Sequence, residues 1–288
     1  MPAPRVAAIH DLSGFGRCSL TIVIPALSAM GLQCCPLPTA YLSTHTGGFE
    51  GNTFLDLTDQ MAPVTAHWRS LGLTFDAIYT GFLGSTRQIG LAADFIRAFR
   101  RPGTVAVVDP VLGDHGRPYR TCTAEMCSRM GELADLADVV TPNRTEAALL
   151  LGLPYEAVRL DDADLCLHWA GLLSRDGRRS VVLKGVSLEP GRVGAVCLDR
   201  ETQHAGFVWA PLAPGQFHGT GDLFASVLTG ALVKGRSLPD AAQLAADFTS
   251  LAAAYTARQD IPRREGLDFE PLLGKLWTMT EERGGAVL

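Results

Sequence analysis

Short apolar runs alternate along the chain with longer stretches in which apolar positions recur every three or four residues. The runs are RVAAIH at 5–10, LQCCPL at 32–37, FDAIYTG at 75–81, TVAVVDP at 104–110, ADVVTPN at 137–143 and SVVLKG at 180–185. Residues 18–30, 53–71, 86–100 and 145–151 between them carry helical spacing. A strand buried on both faces has no polar side to alternate with, so this order predicts an α/β protein with a mainly parallel central sheet flanked by helices. GRVGAVCLD at 191–199 and ETQHAGFVWA at 201–210, joined at Asp199 and Arg200, predict an added antiparallel hairpin. Residues 239–258 and 270–282 predict closing helices, and the GGAVL end is expected to fray. No repeat, low-complexity tract or linker divides the chain, so residues 1–288 are expected to form one domain.

A further helix is predicted after the turn HGTGD at 218–222, because Leu223, Phe224, Val227, Leu228 and Leu232 fall on one face. Its first N–H groups are unpaired and positively polarised, and glycines let an anion come close. Asp222 then has two readings. It is a helix cap, or a carboxylate placed beside a bound anion. The polar and glycine-rich segments HDLSGFG, STHTGG, TGFLGS, DPVLGDHG, TPNRTE, KG and HGTGD all fall at predicted strand ends or at that helix start. In an open α/β sheet those ends form the ligand crevice, and this convergence favours the chemical reading.

Composition narrows the partner. Lys and Arg total 25 against 30 Asp and Glu, a net charge of −5 without a block of like charges, which argues against a nucleic-acid or membrane surface. No apolar run is long enough to span a bilayer, and MPAPRVAAIHDLSG lacks the charged start and long apolar middle of a secretory signal, so a cytoplasmic location is expected. The seven cysteines are odd in number and lack paired CxxC spacing, a pattern that fits reduced thiols.

An anion-holding turn with a carboxylate at its lip suits phosphoryl transfer. The amides of Gly219, Thr220 and Gly221 would stabilise charge on the transferred group while Asp222 takes a hydroxyl proton. Asp109 and Glu146 offer carboxylates to Mg²⁺, although Asp109 also suits the end of a strand before Pro110 and Glu146 the first turn of a helix. Lys184 at a strand end would meet a phosphate or reach solvent. The Walker pattern GxxxxGK[ST] is absent. His45, between Thr44 and Thr46, suits either hydrogen bonding to a polar heteroaromatic ring or ordinary packing. His10, His115 and His218 lie near strand ends without metal-site spacing, and zinc is not expected.

GTGDLFAS at 219–226, ADVVTPNRTEAALLLG at 137–152, DPVLGDHG at 109–116 and LSTHTGGF at 42–49 together resemble the pyridoxal kinase branch of the ribokinase-like superfamily. The resemblance implies a three-layer sandwich without a separate lid domain, a homodimer, and ATP-dependent phosphorylation of the 5′-hydroxymethyl group of a vitamin B6 vitamer. It implies Asp222 as general base, with Gly219, Thr220 and Gly221 as the anion hole. Asp109, Thr141 and Glu146 would surround Mg²⁺, and a monovalent cation, K⁺ or Na⁺, is compatible with the family. Asn143, Glu146, Lys184, Gly185 and Thr220 would lie near ATP, with Asp114 beside its covering loop. Asp11, Ser13, His45, Thr46 and Phe82 match positions around the substrate ring. DLSGFG at 11–16 is closer to the corresponding loop of hydroxymethylpyrimidine kinases, which phosphorylate a thiamin precursor. An acid at position 11 favours an amine-bearing substrate, so pyridoxamine is the expected preference.

Overall fold

The computed structural model describes residues 2–282. The chain runs through β1 (Arg5–Phe15), α1 (Leu20–Ala29), β2 (Gln33–Thr44), β3 (Phe54–Asp56), α2 (Thr58–Ser70), β4 (Ala77–Thr80) and α3 (Thr86–Phe99). It continues through β5 (Val105–Val108), β6 (Gly113–Asp114), β7 (Arg117–Pro118), α4 (Ala124–Ala134), β8 (Val139–Val140), α5 (Arg144–Leu151) and α6 (Ala163–Leu173). It closes with β9 (Ser180–Val186), β10 (Arg192–Leu198), β11 (Ala205–Pro211), α7 (Thr220–Val233), α8 (Leu238–Thr256) and α9 (Leu273–Glu282). The GGAVL end lies outside the described residues.

Nine strands form one sheet in the order β11-β10-β9-β8-β5-β4-β1-β2-β3. The strands from β9 to β2 pair in parallel, while β10, β11 and β3 add antiparallel edges. The hairpin expected at 191–210 is β10–β11, and β6–β7 forms a second, two-residue hairpin. Alternation along β1 sends Val6 and Ala8 into one core and Ala7 and Ile9 into the other. The first core packs against α1, α7, α8 and α9, the second against α3 to α6, which gives the expected three-layer sandwich. Among the described residues no element forms a separate lid, and no helix is long and apolar enough to cross a membrane.

Several elements exceed the sequence pattern. Residues 54–56 form an edge strand on β2 before α2 begins, all three exposed, so no burial pattern marks them. Helices α4 and α6 are also additions, each with an N-cap, Thr123 and Asp162, and a buried face at helical spacing, Met126, Met130 and Leu133 in α4 and Cys166, Trp169, Ala170 and Leu173 in α6. The topology places the crevice. The chain leaves β1 towards β2 and β3 on one side and takes up β4, β5, β8 and β9 on the other, so the strand order reverses beside β1.

Candidate active site

Around that reversal the seven polar segments meet. Gly219, with φ of +83°, caps α7 without a side-chain cap bond. A β-carbon there would overlap Ile22 Cδ1 and lie 2.5 Å from the Arg17 carbonyl oxygen, so only glycine fits this turn. Asp222, in the first turn of α7, does not cap the helix. Its Oδ2 accepts the Ser19 N–H at 2.8 Å, and its Oδ1 lies 3.1 Å from His10 Nε2. Ser19 holds a φ of +53°, a region unfavourable to side-chain-bearing residues, while donating this bond. Burial alone would raise the Asp222 pKa, but the bond and charge of His10, the Ser19 N–H and Lys184 outweigh it and hold the carboxyl below its ordinary value.

His10 stands within β1, where an extra residue in β2 shifts the register between His10 and Leu12. Its Nδ1 lies 3.0 Å from Asp11 Oδ1 and 3.1 Å from the Phe82 N–H. With Nδ1 protonated the ring donates to both carboxylates; with Nδ1 bare it accepts from Phe82. In either state Nε2 carries the hydrogen facing Asp222. Burial disfavours the imidazolium, yet hydrogen bonds to Asp11 and Asp222 and their charges lift its pKa to about 10.

A second buried group gathers the ends of β5, β8 and β9. Asp109 Oδ1 accepts from Thr141 Oγ1 at 2.7 Å and from Lys184 Nζ at 2.8 Å. A β-carbon on Gly221 would lie 3.6 Å from Lys184 Nζ, so the ammonium also borders the α7 turn. Glu146 is buried at the start of α5, where its side chain accepts the Asn143 N–H at 2.7 Å in a capping box. Burial first, then repulsion by Asp109, pushes the Glu146 pKa well up against the pull of Lys184, while the two carboxylates lift that of Lys184 against its burial. Among the described residues no cluster of three or more His, Cys, Asp or Glu is placed to hold a metal. Two buried carboxylates against one ammonium, with Thr141 beside them, nevertheless fit Mg²⁺, which retains waters and takes phosphate oxygens rather than an all-protein cage.

On the other side of Asp222, His45 Nε2 donates to the Arg264 carbonyl at 2.7 Å and Nδ1 accepts from the Gly47 N–H at 3.1 Å. Both ring nitrogens are thus engaged within the protein, and burial lowers the His45 pKa. Its ring lies 5.0 Å from Phe49 and 4.8 Å from His218. Thr46 is exposed, and Phe82 is half-buried next to His10. Asp11 and Ser13 differ from expectation. Asp11 is 5% exposed, with Oδ1 on His10 and Oδ2 accepting from Ser13 Oγ at 3.1 Å, and Ser13 is fully buried. Each oxygen of Asp11 has a partner within the protein, and the buried carboxylate braces His10.

Beside the start of α5, Asn143 Nδ2 donates to the Gly113 carbonyl at 3.0 Å, and Asp114 and Gly185 are exposed. The 112–120 segment is tied down where Gly116 N–H donates to Thr145 Oγ1 at 2.9 Å. Beyond Gly185 a cavity of about 520 Å³ is lined by Arg144, Tyr155, Arg159 and Ser187, with the Arg144 guanidinium 4.0 Å above the Tyr155 ring. Sequence alone gives no role to this cavity, Ser19, Phe49 or Arg264. It marks His10 and His218 only as histidines near predicted strand ends, whereas the structure places His10 within β1 and His218 in the turn before α7.

Comparison with known proteins identifies the family and the fold. The phosphomethylpyrimidine kinase family model matches residues 24–262. The "putative phosphomethylpyrimidine kinase" of Bacteroides thetaiotaomicron VPI-5482, in a crystal form with pyridoxal, is 45% identical with a TM-score of 0.89, covering 95% of this chain and 96% of that one. Pyridoxal kinase from Lactobacillus plantarum is 32% identical with a TM-score of 0.87, covering 98% and 99%. The "probable thiamine biosynthetic bifunctional enzyme, chloroplastic" of Oryza sativa subsp. japonica is 27% identical over 263 residues, 89% of this chain. This chain spans 45% of that longer enzyme.

Proposed function

The chain belongs to the phosphomethylpyrimidine kinase family, whose relatives include pyridoxal kinases, and we propose that it phosphorylates the 5′-hydroxymethyl group of a vitamin B6 vitamer with ATP. The choice of vitamer rests on one observation, the pyridoxal in the crystal of the 45% identical Bacteroides relative.

The chemistry assigned to each group follows from its surroundings. Asp222 is held ionised and oriented by His10 and Ser19, so it accepts the hydroxyl proton as the oxygen attacks the terminal phosphorus of ATP. The uncapped N–H groups of Gly219, Thr220 and Gly221 face the charge that develops on the transferred phosphoryl group. Lys184, now paired with Asp109 beside that turn, exchanges this partner for a phosphate oxygen. Asp109, Thr141 and Glu146 would hold Mg²⁺, which when bound neutralises phosphate charge. Asn143, Gly185 and Asp114 border the triphosphate, and the cavity at Tyr155 and Arg144 has room for the nucleotide base. His45, Thr46 and Phe82 wall the vitamer ring, His45 through its ring face because its nitrogens are taken. A homodimer, a cytoplasmic location and a K⁺ or Na⁺ beside the nucleotide are parts of the same proposal.

Hydroxymethylpyrimidine is the second reading, supported by the family model and by DLSGFG at 11–16. Both substrates present a hydroxymethyl group on a nitrogen heterocycle to the same base. Measuring kcat/KM in parallel for pyridoxal, pyridoxine, pyridoxamine and hydroxymethylpyrimidine separates them. A B6 vitamer is expected to give the highest value, and turnover confined to the pyrimidine overturns the vitamer assignment.

A further inference from the structure

His10 is an almost fully enclosed ionisable side chain on the hydroxyl side of the site, and phosphoryl transfer with Asp222 as base takes no proton from it. It is 1% exposed, and its two ring nitrogens face carboxylates from two distant parts of the chain, Asp11 at 3.0 Å and Asp222 at 3.1 Å. The room it occupies is provided by sequence. A β-carbon on Gly81 would overlap the imidazole, and Tyr79 meets the ring edge-on at 6.2 Å between centroids. Asp11 is in turn held by Ser13 Oγ. Its Nδ1 also lies 3.0 Å from the Asp11 N–H and 3.1 Å from the Phe82 N–H, so backbone contacts hold that side of the ring, while Nε2 reaches the Asp222 carboxylate at the helix mouth across the junction of β1, β4 and α7.

We propose that His10 is a positioning residue for phosphoryl transfer, braced by Asp11 and Ser13, which fixes the Asp222 carboxylate in the orientation that receives the hydroxyl proton. The inference rests on the reading of Asp222 as the base. His10 and the Ser19 N–H each engage one oxygen of Asp222, so the carboxylate cannot rotate without losing both bonds, and its remaining lone pairs stay directed to the crevice. The proton passes only from the substrate hydroxyl to Asp222, and His10 keeps its own hydrogen on Nε2 throughout. The charged and titratable groups around it are Asp11 from its own strand, Asp222 from α7, the Tyr79 phenol from β4 and the Cys18 thiol ahead of α1, with Lys184 from β9 acting on Asp222. The two carboxylates favour a charged ring, which in turn keeps Asp222 ionised.

The test compares His10→Ala, His10→Gln and Asp222→Asn by kcat, KM for ATP and the acid limb of the kcat–pH profile. A loosened base should cost about 10²-fold in kcat for His10→Ala with KM for ATP little changed, since misplacement by ~1 Å costs about that much. His10→Gln keeps a donor for Asp222 without the charge. It is expected to recover most of kcat while its acid limb moves to higher pH. Gln also fills the space, so it carries the test if the alanine variant folds poorly. Equal losses in both variants with an unmoved acid limb would show a packing role and overturn the inference. Near-normal kcat in His10→Ala beside a crippled Asp222→Asn overturns it alone, whereas near-normal kcat in Asp222→Asn overturns the reading of the base and this inference with it.

Discussion

Nε2 of His10 and Oδ1 of Asp222 lie 3.1 Å apart although 212 residues separate them in sequence. The contact ties the middle of β1 to the first turn of α7 and joins a buried imidazole to the carboxylate assigned as base. Beside it, the Lys184–Asp109 pair joins β9 to the end of β5, so two buried ion pairs set the charge of the crevice.

Stability should depend on pH through His10. In the folded protein the imidazole keeps its charge up to about pH 10, against an ordinary value of 6.5. A raised folded-state value means the stabilisation is fully present below the unfolded value and is lost as pH rises through the folded one. Denaturant unfolding should therefore show a His10-dependent decline between pH 6.5 and about 10. His10→Gln should flatten that part of the profile, and identical slopes in the two proteins would contradict the assignment.

Lys184 neutralises a buried carboxylate pair. Lys184→Met leaves Asp109 and Glu146 without their ammonium, and breaking a buried pair in this way costs about 3–5 kcal/mol. Adding Asp109→Asn should restore much of the stability but not the activity. Urea titration of the single and double variants gives the answer, and additive losses would show that the pair is not energetically coupled.

The turn of α7 demands glycine. Gly219→Ala places a methyl group against Ile22 and the Arg17 carbonyl at a φ of +83°. The conformational strain alone is worth about 1–3 kcal/mol, so the variant should melt lower and lose kcat, because the amides proposed to hold the phosphoryl charge move with the turn. An unchanged melting temperature would mean that the turn relaxes freely.

Asp11 braces His10 in this structure rather than meeting substrate. Asp11→Asn should therefore lower kcat by a similar factor for pyridoxal, pyridoxine and pyridoxamine. A selective loss on pyridoxamine would restore Asp11 to the ring pocket.

The architecture was legible because parallel strands bury both faces. β1, β4, β5 and β9 stand out as apolar runs, and the loops at their ends could be gathered into one site before any coordinates. Residues 54–56 could not be found this way, since an exposed edge strand has no apolar signature. Asp222 was recognisable as an acid in a glycine-rich turn, but its freedom from capping depends on Ser19 and His10 reaching it through the tertiary fold. The contacts of Asp11 with His10 and Ser13 escape the sequence for a related reason. A loop that resembles a ligand-binding segment does not reveal which of its side chains turn inward, and a register shift beside His10 accompanies that turn.

The most direct test is a single-turnover reaction with Mg-ATP and pyridoxal, following pyridoxal phosphate and ADP together, in the wild type and in Asp222→Asn. Removing a general base costs about 10²–10⁴-fold, so the account predicts equal formation of both products by the wild type, a drop of that size in the variant, and undiminished ATP binding by the variant. Product formation at the wild-type rate by Asp222→Asn would contradict it.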